Sequence, residues 1–224
     1  DLESVYFKTS DIAYLVGRCF PGFGIIRKST NGGLNWSPVT SIDDGLRALS
    51  FLDQNTGVAV GAYGSILHTV DGGTSWSNLL EGPVEFFTSV HFPDPLTGYV
   101  VGFEGSILKT DNGGDNWITI SEGTFNKLSS VFFVNQNTGY IAGHYGTVLK
   151  TIDGGDNWTS LLTGSDQYES VFFLDENTGF VCGHPGKILK TTDGGTSWNT
   201  QQLGPNLYLN SVWFLDSQTG YMAG

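Results

Sequence analysis

An aspartate or asparagine stands third in an eight-residue phrase, T-x-D-G-G-x-x-W, that occurs five times between Ser29 and Trp198. Repeated carboxylates of this kind do two sorts of chemistry. They hold calcium through oxygen ligands, or, in pairs about 5 to 10 Å apart, they act as acid and base in glycoside hydrolysis. Copies one and three carry Asn31 and Asn112 at the acidic position, and a neutral amide is a poor substitute where few carboxylates must hold a divalent ion. The phrase therefore reads as a turn, with Asp or Asn accepting backbone N–H groups, glycines taking positive φ and Trp packing back on a sheet. No metal is expected. Outside the phrase the candidate acids are Asp43, Asp44, Glu85, Glu104, Asp166 and Glu169, none in a motif beyond its own repeat. His144 and His184 hold equivalent places in successive repeats, but two histidines without a placed carboxylate fall short of a zinc site. A Ser-His-Asp phrase, a phosphate loop and a dinucleotide fingerprint are all missing, so no cofactor is expected.

These residues are carried by short strands. Trp36, Trp76, Trp117, Trp158 and Trp198 lie 40, 41, 41 and 40 residues apart, the length of one four-stranded propeller blade. A second phrase runs Ser-Val-Phe-Phe-Leu-Asp from Ser170, breaks at Asn177-Thr178-Gly179 and resumes with apolar residues to Gly183; its relatives start at Ser50, Ser89, Ser130 and Ser211, with a degenerate copy at Ser4. This pattern predicts a β-hairpin of strands a and b. A third strand, such as Ile188 to Thr191, follows as c, and the tryptophan of the box opens d. A lone four-stranded sheet leaves two apolar faces uncovered, and stacking such sheets about an axis covers them. The expected fold is all-β, a β-propeller with five full repeats and half of a sixth, forming one domain over 1–224 or a piece of a longer propeller.

Composition narrows the partners. The formal net charge is −12, from 22 acids against 10 bases, which opposes binding to nucleic acid or to an anionic membrane surface. No apolar run approaches the ~20 residues that span a bilayer, so no direct membrane insertion is expected. An acidic balance with little lysine fits an extracellular or periplasmic protein. Cys19 and Cys182 fit no metal spacing; Cys182, in an apolar strand, reads as a buried free thiol, with a disulfide as the alternative.

Strand direction sorts the loops. Turns a-to-b and c-to-d fall at one end of each sheet, with the T-G turns and the boxes. Loops b-to-c and d-to-a fall at the other, and there the repeats diverge. The b-to-c tips run from Arg18 to Gly24 in the first repeat, then carry Tyr63, Phe103, Glu104, His144, Tyr145 and His184; the d-to-a segments bring Arg47, Phe87, Tyr168 and Tyr208. An end ringed by aromatics, histidines and a few charges has the chemistry of a binding surface.

The boxes resemble Asp-box repeats, found in sialidases, some xyloglucanases and the sortilin propeller. The fuller unit, S-V-x-F, T-G-Y-x-x-G, G-x-I-L-K-T and D-G-G-x-x-W in order, most resembles the photosystem II stability/assembly factor family, over almost the whole chain. That resemblance implies a propeller that binds a segment of a membrane protein through an arginine-rich patch. This chain departs from it, with only Arg18, Arg27 and Arg47. A sialidase needs three arginines converging on a carboxylate, and here all three fall in the first 47 residues. The expected function is a noncatalytic binding or scaffold module for a protein, peptide or glycan. The alternatives are a glycoside hydrolase of sialidase or xyloglucanase type and an assembly factor for a membrane complex.

Overall fold

A computed structural model describes residues 1–19, 22–79, 85–120 and 124–224. Contacts divide the chain into two compact units, Asp1–Gly102 with Ile107–Thr119, and Phe103–Ser106 with Ile120–Gly224.

The first unit is built on three antiparallel sheets whose strands follow chain order. They are Leu2–Phe7, Ala13–Cys19, Phe23–Ser29 and Ser37–Ile42; then Leu46–Phe51, Gly57–Gly61, Ile66–Thr69 and Ser77–Asn78; then Phe87–His91, Gly98–Gly102, Ile107–Thr110 and Ile118–Ile120. In the second unit come Leu128–Phe133, Gly139–Gly143, Val148–Thr151 and Thr159–Leu162; then Gln167–Phe173, Gly179–His184, Lys187–Thr191 and Asn199–Gln202; then the pair Ser211–Phe214 and Gly220–Ala223. The b strands of the second to fifth sheets are apolar on both faces and almost wholly buried, and in the first Ala13–Gly17 is buried while Arg18 and Cys19 are exposed. That is the pattern of a strand sandwiched between neighbouring sheets.

Two repeated devices hold the sheets together. Within a sheet, the second Phe of strand a pairs with the Gly that opens strand b, as in Phe133 opposite Gly139 and Phe173 opposite Gly179. The ring lies over the glycine: a Cβ on Gly179 would stand 2.3 Å from the Phe173 ring. The box tryptophan of the same sheet meets that ring edge-on, Phe133–Trp158 at 5.8 Å and Phe173–Trp198 at 6.3 Å, both at 87°. Between sheets, Tyr140 stacks on Phe173 at 3.6 Å and Phe180 on Phe214 at 3.7 Å. The serine of strand a accepts a backbone N–H from the next sheet, Ser130 from Val171 at 3.3 Å and Ser170 from Val212 at 3.2 Å. Register places Ala48, not Ser50, at this position of the second repeat, since Ala48 pairs with Val60 as Ser170 pairs with Cys182.

The boxes are turns that need one acceptor oxygen each. Thr191 donates its hydroxyl to Asp193 Oδ1 at 2.8 Å and accepts Gly195 N–H at 2.9 Å, while Asp193 Oδ1 accepts Ser197 N–H at 2.9 Å. Asn31 and Asn112 repeat the pattern with their amide oxygens, accepting Asn35 N–H at 2.9 Å and Asn116 N–H at 3.0 Å. Each box then docks on the a-to-b turn of its own sheet, Gly194 N–H to Asn177 O and Gly154 N–H to Asn137 O at 2.9 Å. Hydrogen bonds given to the ionised form hold Asp153 and Asp193 down to about 2, the side chains of Asn157 and Ser197 contributing most. No cluster of three metal-ligating side chains occurs among the described residues.

Candidate binding face

The b-to-c tips are two-residue turns. Tyr63, Glu104 and Tyr145 take φ of 53°, 55° and 54°, each followed by a glycine that is also positive. Two successive left-handed residues are the geometry that joins twisted strands most tightly. The turns close through Ser65 N–H to Ala62 O, Ser106 N–H to Phe103 O and Thr147 N–H to His144 O, at 3.1, 3.1 and 3.2 Å. Holding a bulky residue left-handed at the apex turns its side chain outward, and Tyr63 and Tyr145 are 54% and 65% exposed. In the fifth repeat the tip is His184, cis-linked to Pro185, then Gly186. Residues 20–21 of the first tip lie outside the described residues.

The d-to-a segments enter strand a through a bulge, which sorts the remaining candidates. Leu46 pairs with Gly61 and Ala48 with Val60, so Arg47 is the extra residue; Glu169 is its counterpart between Tyr168 and Ser170. A bulge turns its extra side chain away from the sheet pattern. The residue before it points into the core, where Leu46, Phe87, Leu128 and Tyr168 are all buried, as is Leu209 at the matching place of the last repeat. Phe87 and Tyr168, expected on the binding face, are therefore core residues. Phe87 is 1% exposed among Val58, Val60 and Val90. Tyr168, 4% exposed, donates its hydroxyl to Asp166 at 3.2 Å, and burial followed by that carboxylate pushes its pKa up. One step further back lie the residues that do line this end of the sheets: Gly45, Phe86, Lys127, Gln167 and Tyr208. Of these Tyr208 was named from the sequence; counting back from the bulge, rather than from the apparent loop, singles out Gly45, Phe86, Lys127 and Gln167 as well.

In the first unit these positions enclose a pocket of about 210 Å³ between Glu3, Arg18, Arg47, Tyr63 and Phe86, floored by Gly45, Leu46 and Ala62. Arg18 holds Asp1 at 3.0 Å and Glu3 at 3.7 Å, and Tyr63 packs on Phe86 with ring centroids 5.1 Å apart. Of the sequence candidates, Arg47 and Tyr63 meet here; Arg18, Gly45 and Phe86 were not singled out as ligand contacts.

In the second unit the same positions form ion pairs. Glu169 accepts from Lys127 Nζ at 2.9 Å and lies 2.8 Å from His144 Nε2. Burial pushes the Glu169 carboxyl up, but Lys127 and then His144 outweigh it and hold the group below its usual value. Phe103 covers Lys127, with Nζ 5.7 Å from the ring centroid. Lys187 holds Asp166 at 2.7 Å, and His184 stacks on Tyr208 at 4.1 Å. Both carboxylates are thus engaged by lysines, an arrangement for positioning charge. His144 and His184 each bind their own partner and do not share a site. Glu104 stands at its turn apex within this unit.

The model of one family, the photosynthesis system II assembly factor YCF48, matches residues 29–124, 83–168 and 119–223. A solved structure of "YCF48 bound to D1 peptide" is 20% identical, aligns over 99% of this chain and 89% of its own, and has a TM-score of 0.55. YCF48 from Cyanidioschyzon merolae is 21% identical over 97% of this chain and 75% of its own, with a TM-score of 0.73. The GH74 enzyme of Niastella koreensis is 17% identical, at a TM-score of 0.73, and the match covers 89% of this chain but 38% of that enzyme. No curated protein matches the chain. The likeness to these structures shows the fold, a β-propeller of four-stranded blades.

Proposed function

The chain belongs to the photosystem II assembly factor YCF48 family, and from that premise we propose that it is a noncatalytic binding propeller. It holds a protein or peptide segment on the end of the sheets formed by the b-to-c tips and d-to-a segments, as an assembly or scaffold factor. The observation that carries this reading is the pocket beside Gly45, where two of the chain's three arginines meet the Tyr63–Phe86 pair. Arginine and tyrosine are enriched among the few residues that carry most of the energy at protein interfaces. A solved structure of the fold, YCF48, has a D1 peptide bound, which supports a peptide over a glycan. We place the protein outside the cytosol, extracellular or periplasmic, on its acidic balance, and take 1–224 as one propeller domain or a piece of a longer propeller.

An array of ten-residue synthetic peptides tests the reading, probed with the protein and with a variant carrying Tyr63→Ala, Phe103→Ala and Tyr145→Ala. All three side chains stand at tips, so the variant should fold. Peptides retained by the protein and lost by the variant support this face. Equal retention by both would move binding elsewhere, and retention of immobilised glycans alone would replace the peptide with a sugar.

A further inference from the structure

The residue two places before each bulge shares a role across the repeats, which one repeat leaves empty. Its carbonyl accepts the N–H at the end of strand b, Gly45 from Ala62 and Lys127 from His144, each at 2.9 Å. Its side chain meets the tip of the preceding repeat: Phe86 meets Tyr63 at 5.1 Å, Lys127 lies 5.7 Å from the Phe103 ring, and Tyr208 stacks on His184 at 4.1 Å with the planes 10° apart. Where this position is Gln167, the junction is closed instead by His144 on Glu169 at 2.8 Å. Between the first and second repeats it is Gly45, with no side chain to offer. A Cβ built there would lie 3.3 Å from Arg18 Cβ and 3.6 Å from Arg18 Cδ. A side chain here would press on Arg18, and the glycine leaves this side of the pocket open.

We infer that this pocket takes an aromatic side chain of the bound peptide, which completes the junction as Phe86 and Tyr208 do at theirs; the inference rests on the peptide-binding reading and deepens it. Size and walls agree. An apolar cavity of about 150 Å³ already holds a benzene ring, and the pocket measures about 210 Å³. Arg18 pairs along one edge with Asp1 and Glu3, which leaves the guanidinium face, a stacking surface for a ring, to the pocket. Tyr63 and Phe86 supply a second, aromatic wall, which ring partners meet offset or edge-on. The glycine lacks a positive φ, and Phe86 fills its place one repeat later, so no backbone demand explains it.

The test titrates the protein with N-acetyl-phenylalaninamide and with N-acetyl-alaninamide, following the Gly45 and Tyr63 amides and the Arg18 side-chain N–H by NMR. The phenylalanine probe should shift these signals saturably and bind roughly tenfold or more tighter than the alanine probe. Gly45→Phe should abolish the response, and Arg18→Gln, which leaves the floor untouched, should weaken it. Equal response to both probes overturns the inference, as does binding that survives Gly45→Phe in a folded variant. The peptide array separates the two readings. Peptides that bind the protein and its Gly45→Phe variant alike overturn the ring pocket and leave peptide binding standing. A phenylalanine probe seated at Gly45 while no peptide binds leaves ring recognition standing and removes the peptide reading.

Discussion

The hydroxyl of Tyr140 donates to the carbonyl of Gly194 at 3.0 Å, joining strand b of one blade to the box of the next. Lys150 Nζ gives the same carbonyl a second hydrogen bond at 2.8 Å. The T-G-Y and L-K-T phrases of one repeat thus converge on the D-G-G of its successor, which is why all three recur together. Tyr140→Phe should cost about 1 kcal/mol or less, because Lys150 still satisfies the acceptor. Lys150→Met alone should cost similarly little. Together they leave Gly194 O without a donor, so the double variant should lose more than the sum, by about 1 kcal/mol. Denaturant unfolding of the four proteins measures the coupling, and strict additivity would refute it.

Acid sensitivity should originate in the boxes. Asp153 and Asp193 fall from an ordinary 3.8 to about 2 in the folded protein. A depressed carboxylate contributes stability that is fully present above its unfolded value and is lost as pH falls through the folded one. Melting temperature should therefore change little between about pH 7 and 5 and drop between about pH 4 and 2. Replacing both aspartates with asparagine, which already performs this role at Asn31 and Asn112, should flatten part of that drop. An unchanged acid profile would place the titrating groups elsewhere.

Much of this was legible in the sequence. The 40-residue period, the hairpin of strands a and b and the box as a turn all follow from residue type and spacing, and local chemistry alone builds them. The end of the sheets where the repeats diverge was legible, but not which side chains line it. Phe87 and Tyr168 looked like loop aromatics, yet a bulge one residue later turns them inward and turns Arg47 and Glu169 out. A bulge is a property of pairing, and no single repeat displays it. The pocket was hidden for a related reason, since it is made by Gly45, a residue conspicuous for the side chain it lacks.

The glycines of the T-G pairs answer to a ring rather than to a turn. Gly179 has no positive φ, but a Cβ there would lie 2.3 Å from one Phe173 ring atom and 2.4 Å from the next. Phe173 is itself pinned by Tyr140 at 3.6 Å and Trp198 at 6.3 Å, so it has nowhere to move. Gly179→Ala should destabilise by roughly 1–3 kcal/mol, as overpacking does. Gly164→Ala is the control: no atom lies within 4 Å of its Cβ, and its effect should stay within about 0.5 kcal/mol. Similar melting temperatures for the two variants would remove the steric argument.

The two cysteines should differ in reactivity by virtue of place. Cys19 is an exposed free thiol, while Cys182 is free and fully buried. Burial, then the nearby Glu169 charge, pushes the Cys182 thiol up to about 12, so at neutral pH almost none is the reactive thiolate. Its Sγ sits 3.8 Å from Leu209 O, within the cluster of Phe180, Ile188 and Val212. A disulfide-exchange reagent at pH 8 should therefore label one thiol rapidly in the native protein and the second only on unfolding. Cys182→Ser would put a stronger hydrogen-bonding group where sulfur fits as a small apolar atom, and should lower stability by about 1 kcal/mol or more. Rapid labelling of both thiols in the folded state would mean that the blade around Cys182 opens far more readily than its packing implies.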